Sequence, residues 1–158
     1  MDTLDSAILR LIQSDNRQSA ADLGQAVGLS VSAAGERVRR LNAAGVVRAN
    51  RAVVEPRAVG LGLCAFLFID LEPRCDEVAF AAAVAALPEV QEAHHITGPH
   101  SWLLKLRVAD TAALQALLVG RIKALPGVMR SETLVVLDTA KETTELALPP
   151  APQGDAVR

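Results

Sequence analysis

Residues 19–41, SAADLGQAVGLSVSAAGERVRRL, constrain this chain more than any other stretch. They read as two short helices joined by a tight turn. Ser19 is a good N-cap, and Asp22 three residues later gives a capping-box-like start, with its carboxylate near the positive end of the helix dipole. Leu23, Ala26 and Val27 make one apolar side, and Gly28 supplies the left-handed residue that ends the helix. Leu29 plugs the corner. Ser30 then caps a second helix expected to run to about Ala44 and to be closed by Gly45. On it Val31, Ala34, Val38 and Leu41 form one stripe at a spacing of three or four. The opposite side carries Ser32, Ala33, Glu36, Arg39 and Arg40, with Arg37 at the flank. A helix, a glycine turn and a second helix with an outward basic face make a helix-turn-helix, whose second helix enters the DNA major groove.

Such a pair needs a third helix to close its core. Leu4, Ile8, Leu11 and Ile12 provide one, with Thr3 as its expected cap and Asp15-Asn16-Arg17 as its end. The N-terminal domain is therefore three helices within residues 1–45. The following VVRANRAVVEP reads as an extended segment over 46–60, either a wing touching the DNA backbone or a linker strand. Charge agrees with this division. Residues 1–56 carry seven arginines against six acids, whereas 60–148 carry seven basic and eleven acidic side chains. The first part can approach phosphates and the second is repelled by them.

From Leu61 the hydrophobic period changes. Leu63 to Glu72 is rich in strand formers. Asp76 to Leu87 reads as a helix on Phe80, Val84 and Leu87, and Val90 to Thr97 as a strand before a Gly-Pro turn. Trp102 to Val108 alternates, with Trp102, Leu104, Leu106 and Val108 facing one way and Lys105 and Arg107 the other. Thr111 to Leu125 reads as a helix and Val128 to Asp138 as the last strand. Ala86-Leu87-Pro88-Glu89-Val90 and Ala124-Leu125-Pro126-Gly127-Val128 repeat one junction, in which proline stops a helix and valine opens a strand. The order βαββαβ predicts a ferredoxin-like sheet over 61–142 with both helices on one face. Its other face needs a cover, and a second copy of the chain is the economical one. The tail over 143–158 (from Pro149, PPAPQGDAVR) reads as disordered.

At this point the chain resembles the leucine-responsive/AsnC, or feast/famine, transcription regulators (Lrp/AsnC family). The match runs through Leu4-Asp5 with Ile8-Leu9, Gly28-Leu29-Ser30, Glu36-Arg37-Val38-Arg39-Arg40-Leu41 and Gly45-Val46-Val47. It continues through Thr97-Gly98, Leu103-Leu104-Lys105 and Leu125-Pro126-Gly127-Val128 to Thr133 and Val135-Val136. The resemblance implies an α+β chain with a winged helix-turn-helix domain and a C-terminal RAM-type ferredoxin-like domain. It also implies double-stranded DNA as partner, dimers assembling commonly to octamers, an amino-acid effector, and no cofactor.

DNA contact falls to Ser30, Ser32, Ala33, Glu36, Arg37, Arg39 and Arg40. The serines would bond phosphates or base edges and the arginines would divide between phosphate and guanine, with Glu36 orienting an arginine. The resemblance puts the effector site at the turn Thr97, Gly98, Pro99, His100, Ser101 and Trp102, together with Thr133. Relatives often carry Gly-Asp-aromatic-Asp-Tyr there. Pro99, His100 and Ser101 replace the acidic and aromatic positions, so the group that could hold an ammonium is missing from the turn itself. Gly35, where many relatives carry a larger residue, lowers the helix propensity by about 1 kcal/mol relative to Ala.

Other chemistries are weaker. His94 and His95, adjacent in a strand, point to opposite faces and cannot easily share one metal ion. Gly-Pro-His-Ser-Trp is not the elbow of a hydrolase serine. Trp102 reads as a core or interface residue before a ligand platform. Cys64 and Cys75 read as free, inert thiols. No apolar run reaches the 18–20 or so residues that cross a bilayer, and no basic-then-apolar leader opens the chain, so the cytoplasm is the expected location. An enzyme resembling the sirohaem decarboxylases, which share this domain layout, is the alternative from another class. A module acting through protein contacts alone is the third.

Overall fold

The computed structural model describes residues 1–148. They divide into two compact units, Met1–Ala52 joined by the segment from Lys141, and Val53–Ala140.

In the helical unit, α1 spans Thr3–Ser14, α2 Ala20–Val27 and α3 Val31–Ala43. The cap of α1 is Asp2, one residue ahead of the expected Thr3. Its carboxylate accepts from the Asp5 N–H at 2.8 Å, and Asp5 accepts from the Asp2 N–H at 3.1 Å. This reciprocal pair satisfies two N–H groups at once, which a threonine one residue later would not. Ser19 and Asp22 make the same box on α2.

Gly28 (φ 71°) and Gly45 (φ 69°) close α2 and α3 in the left-handed region. Gly24 is required for a different reason. A Cβ there would stand 2.7 Å from the Leu29 carbonyl oxygen, where the chain leaving the turn folds back on α2. The core is Ile8, Leu9, Leu23, Ala34 and Leu41, with Val27, Leu29 and Val38 packed around it. Val31, expected on that stripe, is 57% exposed. It is the first residue of α3, and its side chain leans toward the helix start, away from the core.

The end of the described chain belongs to this unit. Leu146 donates its N–H to Gln13 Oε1 at 2.8 Å, and Gln13 Nε2 donates to the Leu146 carbonyl at 3.2 Å. Leu148 packs against the helical core. The disorder expected from 143 therefore does not hold for 143–148. A glutamine amide offers the donor and acceptor of a peptide group, and here it holds an extended segment as a strand would. The rest of the expected tail lies outside the described residues.

The segment after α3 is neither wing nor strand among the described residues. It runs without ladder hydrogen bonds to a 3-10 turn, Pro56–Val59, capped by Glu55. Val53 is 95% exposed.

The second unit has the elements β1 (Leu63–Leu71), α4 (Glu77–Ala85), β2 (Val90–His95), β3 (Trp102–Val108), α5 (Thr111–Gly120) and β4 (Val128–Val135). The sheet order is β2-β3-β1-β4 with antiparallel neighbours, the expected ferredoxin-like topology. Ala65, Leu67 and Ile69 of β1 and Leu104, Leu106 and Val108 of β3 bury against Phe80, Val84, Leu114, Leu117 and Ile122. The register puts Phe66, Phe68, Leu103, Lys105, Glu132 and Leu134 on the other face. The helix expected over Thr111 to Leu125 breaks at Gly120, a weak helix former, and resumes as a 3-10 turn, Ile122–Ala124. That tighter turn carries Ile122 into full burial. Both cysteines are free, and a Cβ on Gly127 would meet the Cys75 Cβ at 2.3 Å.

Candidate nucleic-acid interface and effector turn

One side of α3 is locked and the other is open. Ser30 caps the helix, accepting from the Ala33 N–H at 3.2 Å, and its hydroxyl lies 3.2 Å from that of Ser32. Both serines are exposed, and Ala33, the residue after Ser32, is half-buried. Arg39 forks onto Glu36 with bonds of 2.9 and 2.6 Å, and both side chains stay in solvent. The arginine holds the Glu36 carboxyl below its usual range. This pair fixes the Arg39 guanidinium above the exposed face without hiding it.

Arg37 behaves differently. Its guanidinium reaches back to α1 and bonds both Asp2 and Asp5 at 2.7 Å, leaving its side chain only 22% exposed. Arg40 also donates to both Asp5 oxygens at 3.1 Å but remains 59% exposed. Asp5, itself 4% exposed, thus accepts from two arginines and from the Asp2 N–H. Burial pushes its carboxyl up, while the Asp2 N–H and the Arg37 guanidinium bring it below the usual carboxylate range. Of the seven expected contact residues, six lie toward the open side and Arg37 is turned inward. Sequence reasoning missed Asp2 and Asp5 as its partners. The available signal was the acid pair three residues apart at the cap and first turn of α1, set against arginines three apart on α3.

The expected effector residues are only partly assembled. The turn 97–102 is tied to the sheet, with the Ser101 N–H donating to the Ile69 carbonyl at 3.0 Å. His100 stacks on Phe68 (centroids 4.7 Å apart), and its Nδ1 lies 2.9 Å from Asp70 Oδ1. An acid therefore stands beside the turn after all, supplied by β1 across the sheet. Trp102 points to the core side, 5.3 Å from the Phe80 ring and 5.2 Å from that of His95. Thr133 pairs with Leu67, on the helix-bearing face, whereas Phe68 and Asp70 belong to the opposite one. His94 lies near Glu92 (3.3 Å) and His95 near Glu77 (3.7 Å), so the two histidines keep separate company. Among the described residues no three His, Cys, Asp or Glu side chains come together as a metal ion requires. A hollow of about 390 Å³, between Glu89, Arg107, Leu117 and Arg121, lies at the far end of β3 from the turn.

Comparison with known proteins agrees with this division. Residues 1–42 match the AsnC-type helix-turn-helix domain, and residues 64–146 match the Lrp/AsnC ligand binding domain. The leucine-responsive regulatory protein of Salmonella typhimurium is 37% identical over 150 residues, covering 94% of this chain and 92% of that protein. Among solved structures, a transcriptional regulator of Neisseria meningitidis in complex with L-methionine superposes with a TM-score of 0.89 at 32% identity, covering 92% of this chain and 96% of the other. Escherichia coli AsnC superposes with a TM-score of 0.81 at 29% identity, covering 92% and 97%. Among the described residues no helix is long and apolar enough to cross a membrane.

Proposed function

The chain belongs to the Lrp/AsnC family of transcriptional regulators, and from that premise we propose that it reads DNA through the open side of α3. The observation that carries this reading is the split of α3 itself. Ala34 and Leu41 are buried, while Ser30, Ser32, Glu36, Arg39 and Arg40 stay exposed around the helix start and outer side. Ser30 and Ser32 bond phosphate or base edges at the N-terminus of α3. Arg39, aimed by Glu36, and Arg40 engage guanine or phosphate. The protein is a binding protein and not an enzyme, working in the compartment that holds the DNA.

A second copy covers the sheet face that carries Phe66, Phe68, Leu103 and Leu134, and dimers assemble further. Dimerisation sets two α3 helices about one DNA turn apart, roughly 34–36 Å. A small molecule, an amino acid or a related metabolite, binds at the turn 97–102. The L-methionine in the Neisseria regulator supports that class. With no acid in the turn, Asp70 is the carboxylate available to an ammonium group, in competition with His100. Thr133 reaches the same ligand only if a neighbouring copy supplies it. The ligand biases assembly by its differential affinity for the assembled states.

A salt-titrated binding assay on duplexes selected from a random pool tests the central reading. Arg39→Ala and Arg40→Ala should each weaken binding, and a bidentate guanine contact corresponds to about 1–3 kcal/mol. Unchanged affinity and salt slope in both would remove the assignment.

A further inference from the structure

Among the described residues Asp5 is the least exposed charged side chain of the helical unit, yet capping α1 does not explain all of its bonds. The cap needs Asp2 as acceptor for the Asp5 N–H and one Asp5 oxygen for the Asp2 N–H. Both Asp5 oxygens are also engaged by arginines of the helix that faces outward. A buried ionic cluster is a poor stabiliser compared with apolar packing of similar volume, because desolvation offsets most of the Coulomb attraction. Its effect on charge is larger. Arg37 sits at the flank of α3, next to Glu36 on the exposed side, and only its bonds to Asp2 and Asp5 turn it inward.

We infer that Asp5 is a specificity-determining residue, which withholds Arg37 from the DNA backbone and leaves the reading of sequence to Arg39 and Arg40. The inference rests on the DNA-binding reading. Phosphate contacts add affinity for any sequence, so an extra free guanidinium beside the recognition residues raises non-specific binding faster than specific binding. With Asp2 and Asp5 in place, the flank of α3 toward α1 is close to neutral. The guanidiniums left within reach of a duplex are those of Arg39 and Arg40, which stay exposed although each is paired with a carboxylate.

The test is a salt titration of the full chain on a mixed-sequence 30-base-pair duplex, beside a duplex selected from a random pool by the wild type. Asp5→Asn keeps the shape and one hydrogen-bonding oxygen but releases the arginines. Each guanidinium gained by phosphate steepens the slope of log K against log salt by about 0.9, or about 3.5-fold more loss between 50 and 200 mM. The expected result is a steeper slope and tighter low-salt binding on the mixed duplex, with a smaller ratio between selected and mixed duplexes. Arg37→Gln, in contrast, should leave the slope unchanged.

A merely structural Asp5 predicts the reverse, weaker binding to both duplexes with an equal or shallower slope, and that result overturns the inference. A fall of about 0.9 per subunit in Arg37→Gln overturns it too, since Arg37 would then be a phosphate contact. Should Asp5→Asn fail to fold by circular dichroism, Asp2→Asn, which keeps a capping side chain and removes the other carboxylate from Arg37, is read in its place with the same two outcomes. Failure of the inference by itself leaves wild-type binding intact. A wild type without affinity for either duplex at 50 mM salt removes the DNA-binding reading and this inference with it.

Discussion

The helical unit and the sheet unit are held together by different means. Among the described residues five buried apolar side chains make the core of the first, against thirteen in the second. A core that small leaves much of the ordering to polar devices: two capping boxes, the Asp2–Asp5–Arg37–Arg40 cluster and the Gln13 clasp on 146. In the sheet unit the apolar layer orders the fold, and polar groups on the open face pair with one another, His100 with Asp70 and Lys105 with Glu92. In the helical unit the side chains that set the charge of α3 are thus also the ones that fix where its neighbours sit.

The largest expected effect comes from emptying the sheet core. Phe80 is fully buried, so Phe80→Ala should destabilise that unit by about 3–5 kcal/mol, read as loss of amide-exchange protection on β1 and β3. Protection of α1–α3 should fall less if the two units are independently ordered. Gly24→Ala is the counterpart in the helical unit, where the new Cβ meets a backbone oxygen that cannot step aside. An overpacked contact of this kind costs about 1–3 kcal/mol and should lower the thermal midpoint.

Acid should separate the units as well. Asp2, Asp5, Asp15, Asp22 and Glu36 all sit below their usual values in the helical unit, whereas Glu92 is the carboxyl held low in the sheet. A lowered folded value means stability that is fully present above the unfolded pKa and lost as pH falls through the folded one. The helical unit should therefore lose protection first on acidification below about pH 4, and simultaneous loss in both units would contradict the contrast. The smallest effect has the opposite sign. A Cβ on Gly35 would make an ordinary 3.6 Å contact with the Ala20 Cβ, so Gly35→Ala should stabilise by about 0.4–1 kcal/mol.

Much of this molecule was legible in the chain because local patterns report local geometry. Ser19 with Asp22, Gly28, Ser30 and Gly45 mark the helix ends within one residue, since each satisfies a backbone demand that only a few residue types meet. The strand alternation from Trp102 put Trp102, Leu104, Leu106 and Val108 together on the core side. The same reasoning fixed the order of elements, and with it the ferredoxin-like topology.

What it left undecided depends on residues far apart in sequence meeting in space. Gly24 and Gly35 look alike in a helical pattern, yet one faces a carbonyl at 2.7 Å and the other an open contact. Arg37 and Arg39 look alike on a basic helix. Asp5, 32 residues away, takes the first inward, while Glu36, three residues away, keeps the second in solvent. Asp70 reaches His100 across 30 residues and restores an acid that the turn lacks. Sequence determines which backbone each stretch can adopt, because that choice is made over a few neighbouring residues. Which charges remain free to act was decided only by packing, because long side chains pair with whatever the fold brings within about 3 Å.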